Sequence, residues 1–129
     1  MAATADSTVT ITHRTVELST GVYLHVAEAG RSSGAPTVLL LHGFPEMWYA
    51  WRHQMRALAA AGYRAVAPDM LGYVGSDAPP DAEQYTALHV VGDLVALVDA
   101  VVGAKEEQVF MVGHEIGRAS CRERVYVLV

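Results

Sequence analysis

The chain has 129 residues, which supports one domain with a real core rather than several. Hydrophobic residues make up 52% and charged residues 18%, a balance that excludes a disordered chain. The formal net charge is -5 and the pI is near 5.6, which argues against a nucleic-acid partner, since that would need a basic face. No apolar run is long and charge-free enough to span a bilayer, so no membrane partner is expected. The start, MAATADS, has neither the basic nor the apolar region of a secretory signal. The single cysteine, Cys121, excludes an internal disulfide. A cytoplasmic protein is the default expectation.

In chain order, TVTITHRTVEL (8–18) alternates and is rich in Val, Ile and Thr, and GVYLHVAEAG (21–30) alternates again, with Ser19, Thr20 and Gly21 punctuating them. They read as an antiparallel strand pair. TVLLLH (37–42) is a continuous apolar run, the pattern of a strand buried on both faces. GFPE breaks it. In MWYAWRHQMRALAAAG, Trp48, Trp51, Met55, Leu58 and Ala59 recur at helical spacing, and Gly62 fits a helix stop. YRAVAP (63–68) is the next buried strand, and DMLGYVGSDAPPDAEQ is a turn-rich loop. YTALHVVGDLVALVDAVVG is a second helix, with Leu88, Val91, Val95, Val98 and Val102 as its apolar stripe and Gly103 at its end. A last strand is expected at about 108–113. Strand–helix–strand–helix–strand after an initial strand pair predicts an α/β fold with a mostly parallel sheet and an antiparallel first pair.

Two turns could carry chemistry. In LLLHGFPE, His42 and Gly43 end a buried strand, where backbone N–H groups reach the carboxyl edge used for ligands in open α/β sheets. The bland alternative is an ordinary strand-to-helix turn. In VGHEIG, Gly113-His114-Glu115-Ile116-Gly117 has the small-x-acid-x-small layout of a nucleophile elbow. Such a turn raises the central side chain above the sheet edge. It also offers the next residue's N–H, here that of Ile116, as an oxyanion donor. The pattern alone is weak, and it gains weight from following a buried strand with HGFP on an earlier one. GYVGSDAPP has no Lys-Ser/Thr pair, so it is no phosphate loop. Trp48, Tyr49 and Trp51 could line a pocket, but at helical spacing they more often belong to a core. No two histidines have the i, i+4 spacing of a zinc site, so no metal is expected.

Together, LHGFPEMWYAWRHQMRALAAAGYRAVAPDMLGY, SDAPP and VGDLVALVDAV…EEQVFMVGH resemble the α/β-hydrolase fold and, within it, soluble epoxide hydrolases of the plant type. The resemblance runs from about residue 10 to His114. It implies a small-molecule epoxide substrate, no cofactor, and an elbow carboxylate that attacks an epoxide carbon to form an ester, later hydrolysed by histidine-activated water. The nucleophile position falls on Glu115, where the family has Asp. The oxyanion donors fall on the N–H groups of Phe44 and Ile116. A cis bond is implied before Pro45. Ile116 stands where the family usually has Trp, and Val74 where it often has Gly. The histidine that activates water, its acid partner and the cap domain with its two tyrosines have no counterparts in this chain, so it is expected to be inactive as it stands. A haloalkane or haloacid dehalogenase of the same fold remains an alternative, as does a non-catalytic receptor on the hydrolase scaffold.

The domain reading is a partial hydrolase domain over 1–115 and a non-native tail over 116–129. RASCRERVYVLV has no clear helical face and carries three of the nine Lys and Arg residues and the only Cys. Back-translated, EIGRASCRERV resembles a short-read sequencing adapter from the second base of codon 115. On that reading only the first base of the codon, g, is genic, and both Asp codons begin with g.

Overall fold

The computed structural model describes residues 9–30, 34–102 and 109–114. Its strands are β1 (Thr12–Glu17), β2 (Tyr23–Ala29), β3 (Thr37–Leu41), β4 (Arg64–Pro68) and β5 (Phe110–Gly113). Its helices are α1 (Arg52–Ala60), entered through a 3-10 turn at Trp48–Trp51, and α2 (Ala87–Val102), preceded by a 3-10 turn at Ala82–Tyr85. The strands form one sheet in the order β1-β2-β4-β3-β5. β2 runs antiparallel to β1 and to β4, while β3 pairs in parallel with both β4 and β5. Four of the five strands therefore point the same way, as expected from the alternating elements.

β3 and β4 are buried at every position, which is why their sequences are continuously apolar rather than alternating. Alternate residues feed two separate cores. Leu39 and Leu41 join Leu24, Val26, Val66, Leu94, Leu97 and Met111 on the α2 face. Val38 and Leu40 join Ala27, Ala65, Ala67 and Met55 on the α1 face. Small residues on β2 and β4 let α1 sit close to the sheet. Trp48, Trp51, Leu58 and Ala59 pack around Met55 there, as their helical spacing predicted. Gly62 ends α1 with φ +94, a left-handed position that a Cβ would strain.

α2 departs from the expectation. Its buried residues are Asp93, Leu94, Ala96 and Leu97, with Val90, Val98 and Val101 packed beside them. Of the expected stripe, Leu88 and Val95 are 78% and 50% exposed. The helix is apolar around most of its circumference, so periodicity did not select one face. The sheet did, by matching Leu94 and Leu97 to the Leu24–Val26–Leu39 surface. Arg64 adds an anchor at the far end of the helix. Its Nη1 donates to the Val101 carbonyl at 2.8 Å, while its Nη2 meets Glu28 at 3.1 Å.

Candidate active site

β3 and β5 are neighbours in register, with Leu41 opposite Gly113, and the His114 N–H donates to the Leu41 carbonyl at 3.1 Å. Their carboxyl ends thus bring the HGFPE turn beside the residue that precedes the expected elbow position. Glu115, Ile116 and Gly117, and with them the expected nucleophile, one oxyanion donor and the tail, lie outside the described residues. Phe44, Pro45, Gly113 and His114 share one edge of the sheet.

The turn after β3 is closed by Glu46 N–H donating to the Gly43 carbonyl at 3.0 Å, and the Phe44–Pro45 peptide is cis. The Phe44 side chain is 63% exposed at the edge. Glu46 reaches back over the sheet edge, with its Oε1 3.1 Å from Nδ1 of His114. That contact spans the two sequence motifs directly. It joins a half-buried carboxylate to an exposed imidazole at the carboxyl edge of the sheet. The sequence placed both residues near turns but gave no sign that they would meet, because 68 positions separate them.

His42 has a different part. It is 1% exposed, its Nδ1 lies 2.9 Å from the Gly43 carbonyl, and its Nε2 accepts the Met70 N–H at 2.9 Å. Accepting at Nε2 leaves the proton on Nδ1, where it donates to Gly43. The Tyr73 ring meets His42 edge-on, with centroids 4.7 Å apart. His42 is thus a buried clamp between the turns after β3 and β4, with both ring nitrogens occupied.

Asp69, at the carboxyl end of β4, was not singled out by sequence. It is fully buried, and its carboxylate takes the Trp48 N–H at 2.9 Å, the Gly75 N–H at 3.3 Å and Nδ1 of His25 at 2.8 Å. The available signal was its position: an acid directly after a parallel strand stands at the ligand-bearing edge. Tyr49, considered for a pocket with Trp48 and Trp51, is 51% exposed, and the Arg52 guanidinium lies 4.1 Å from its ring centroid.

Residues 36–117 match the alpha/beta hydrolase fold family. The chain belongs to that family. Within it, the chain is 50% identical over 107 residues to epoxide hydrolase 2 of Siraitia grosvenorii, covering 83% of this chain and 32% of that protein. It is 51% identical over 106 residues to epoxide hydrolase A of Mycobacterium tuberculosis, covering 82% of this chain and 31% of that one. Among solved structures, an epoxide hydrolase from Vigna radiata superposes with a TM-score of 0.75 at 53% identity, over 83% of this chain and 31% of that chain. A laboratory-evolved variant of potato epoxide hydrolase superposes with a TM-score of 0.79 at 47% identity, over 86% and 34%. This alpha/beta hydrolase chain therefore spans about a third of the length of the relatives it matches.

Proposed function

We propose that the protein to which this chain corresponds hydrolyses epoxides to vicinal diols through a covalent ester at position 115. The observation that carries the reading is the pairing of the β3 and β5 carboxyl ends, with HGFPE beside His114, in a chain about half identical to epoxide hydrolases. Those relatives favour an epoxide over a halide as substrate.

In the proposed first step, a carboxylate oxygen at position 115 attacks one epoxide carbon. The C–O bond of the strained ring breaks, and the alkoxide takes a proton from acids supplied by the remainder of the longer protein. In the second step, water activated by a histidine adds to the ester carbonyl. The N–H groups of Phe44 and Ile116 are the proposed donors to the resulting oxyanion. Collapse releases the diol and returns the carboxylate.

All six histidines, His13, His25, His42, His53, His89 and His114, precede position 115. None stands where the family's water-activating base would follow the nucleophile, so the chain by itself is expected to lack turnover. We read Glu115 as standing where the parent gene encodes Asp, and residues 116–129 as a non-native tail. Glu is one methylene longer than Asp, and misplacing a reacting atom by about 1 Å can cost on the order of 100-fold.

The test incubates a styrene-type epoxide with three proteins: this chain, its Glu115→Asp form, and residues 1–114 followed by Asp and the remaining two-thirds of a relative. Turnover is expected from the third alone. At most a single alkylation of the introduced Asp is expected in the second. Multiple turnovers by either short form would refute the assignment of the second half-reaction to residues beyond this chain.

A further inference from the structure

Asp69 is the buried end of a side-chain chain that leads out to the surface. Its Oδ2 lies 2.8 Å from His25 Nδ1, and His25 Nε2 lies 3.1 Å from His13 Nδ1. The two imidazole planes are parallel to within 11°, with centroids 5.2 Å apart. With the nitrogens that close, this geometry is an edge-to-edge N–H···N bond rather than a face-to-face stack. An ionised carboxylate only accepts, so His25 Nδ1 must donate to it. In a neutral ring that leaves His25 Nε2 as an acceptor. His13 must then carry its proton on Nδ1 and donate it inward.

The chain converges on Trp48. The Trp48 N–H donates to Asp69 Oδ1 at 2.9 Å, so the carboxylate holds His25 with one oxygen and Trp48 with the other. The Trp48 indole also meets the His13 ring edge-on at 4.7 Å and that of His25 at 6.5 Å. Gly75 closes the third side. A Cβ there would sit 2.8 Å from the His25 Cβ and 2.9 Å from its Cγ, so the loop after β4 approaches His25 as only glycine can. Trp48 lies two residues after Glu46, at the end of the turn that carries Phe44.

We propose that His13, His25 and Asp69 are positioning residues. Their hydrogen-bonded chain fixes the Trp48 amide and ring, and through them the Phe44–Glu46 side of the active site. The importance of that side rests on the proposed hydrolase reading, but the test reads the loop without substrate, so the two can fail separately.

Two measurements on this chain decide it. The first is imidazole 15N NMR at alkaline pH, where both His13 and His25 are expected as Nδ1–H tautomers. An Nε2–H tautomer at His13 would leave two lone pairs facing each other and would overturn the relay. The second is amide hydrogen exchange at Trp48, with Leu40 as the core control. His25→Phe removes both ring nitrogens and should speed Trp48 exchange about tenfold, the order expected for losing the support of one hydrogen bond, with Leu40 unchanged. His25→Asn keeps a donor at the place of Nδ1 and should return Trp48 to within about twofold of the parent. His13→Ala, at an exposed position, should give an intermediate acceleration. Unchanged Trp48 exchange in His25→Phe, or equal acceleration at Trp48 and Leu40, would overturn the proposal.

Discussion

The turns that follow β3 and β4 lie on the same edge of the sheet, yet they are held in opposite ways. The segment after β4 is bonded to itself and to β2. Gly72 N–H meets the Asp77 carbonyl at 2.8 Å, Tyr73 N–H the Met70 carbonyl at 2.9 Å, and Asp77 N–H the Tyr23 carbonyl at 2.9 Å. Ser76 Oγ donates to the Asp69 carbonyl at 2.5 Å and accepts the His25 N–H at 2.9 Å. In the segment after β3, Glu46 N–H and His42 Nδ1 both donate to the Gly43 carbonyl, at 3.0 Å and 2.9 Å, and further order comes from Asp69, Met70 and His114. The difference teaches a division of labour. One turn spends its polar groups on the scaffold, and the other keeps Phe44 and Glu46 at the open edge.

The sharpest way to break that contrast is to remove its hub. Asp69→Ala leaves the Trp48 and Gly75 N–H groups and a half-buried His25 without their acceptor. It should lower unfolding stability by about 3 kcal/mol, since buried donors lose a charged partner. A urea titration that places the variant within about 1 kcal/mol of the parent would show that Asp69 is not the anchor.

A second change should sharpen the contrast from the other side. Val74 adopts φ +32 and is 73% exposed. A β-branched residue is strained there and recovers little of the cost by burial. Val74→Gly should raise stability by about 0.5–1 kcal/mol, the relief exceeding the extra chain entropy of glycine. The thermal midpoint is the readout, and a lower midpoint would mean that Val74 makes a compensating contact.

The smallest effect belongs to the open turn. Glu46→Gln alters a pair in which the His114 side chain is 58% exposed and that of Glu46 32% exposed. Such pairs are screened by solvent, so stability should change by less than about 0.5 kcal/mol. A loss as large as that of Asp69→Ala would make the two turns equivalent supports and end the comparison.

Much of the architecture is legible in the sequence. β3 and β4 announce themselves because strands buried on both faces need apolar residues throughout. α1 announces itself because only one side of it meets the sheet. HGFP and VGH could be read as strand ends because each closes an apolar run at the point where the chain leaves the sheet. What lay beyond sequence shares one physical cause: it depends on which distant surfaces meet. α2 is apolar on several sides, so its buried face was decided by the shape of the sheet beneath Leu94 and Leu97. The part played by Asp69 emerges only when β2 brings His25 within hydrogen-bond reach of its carboxylate and β1 brings His13 within reach of His25. Glu46 and His114 become partners only because β5 adds beside β3 rather than at the far edge. Local pattern is set by periodicity and turn chemistry within a few residues of chain. The polar contacts of this site are set by strand order, which puts residues dozens of positions apart within hydrogen-bonding distance.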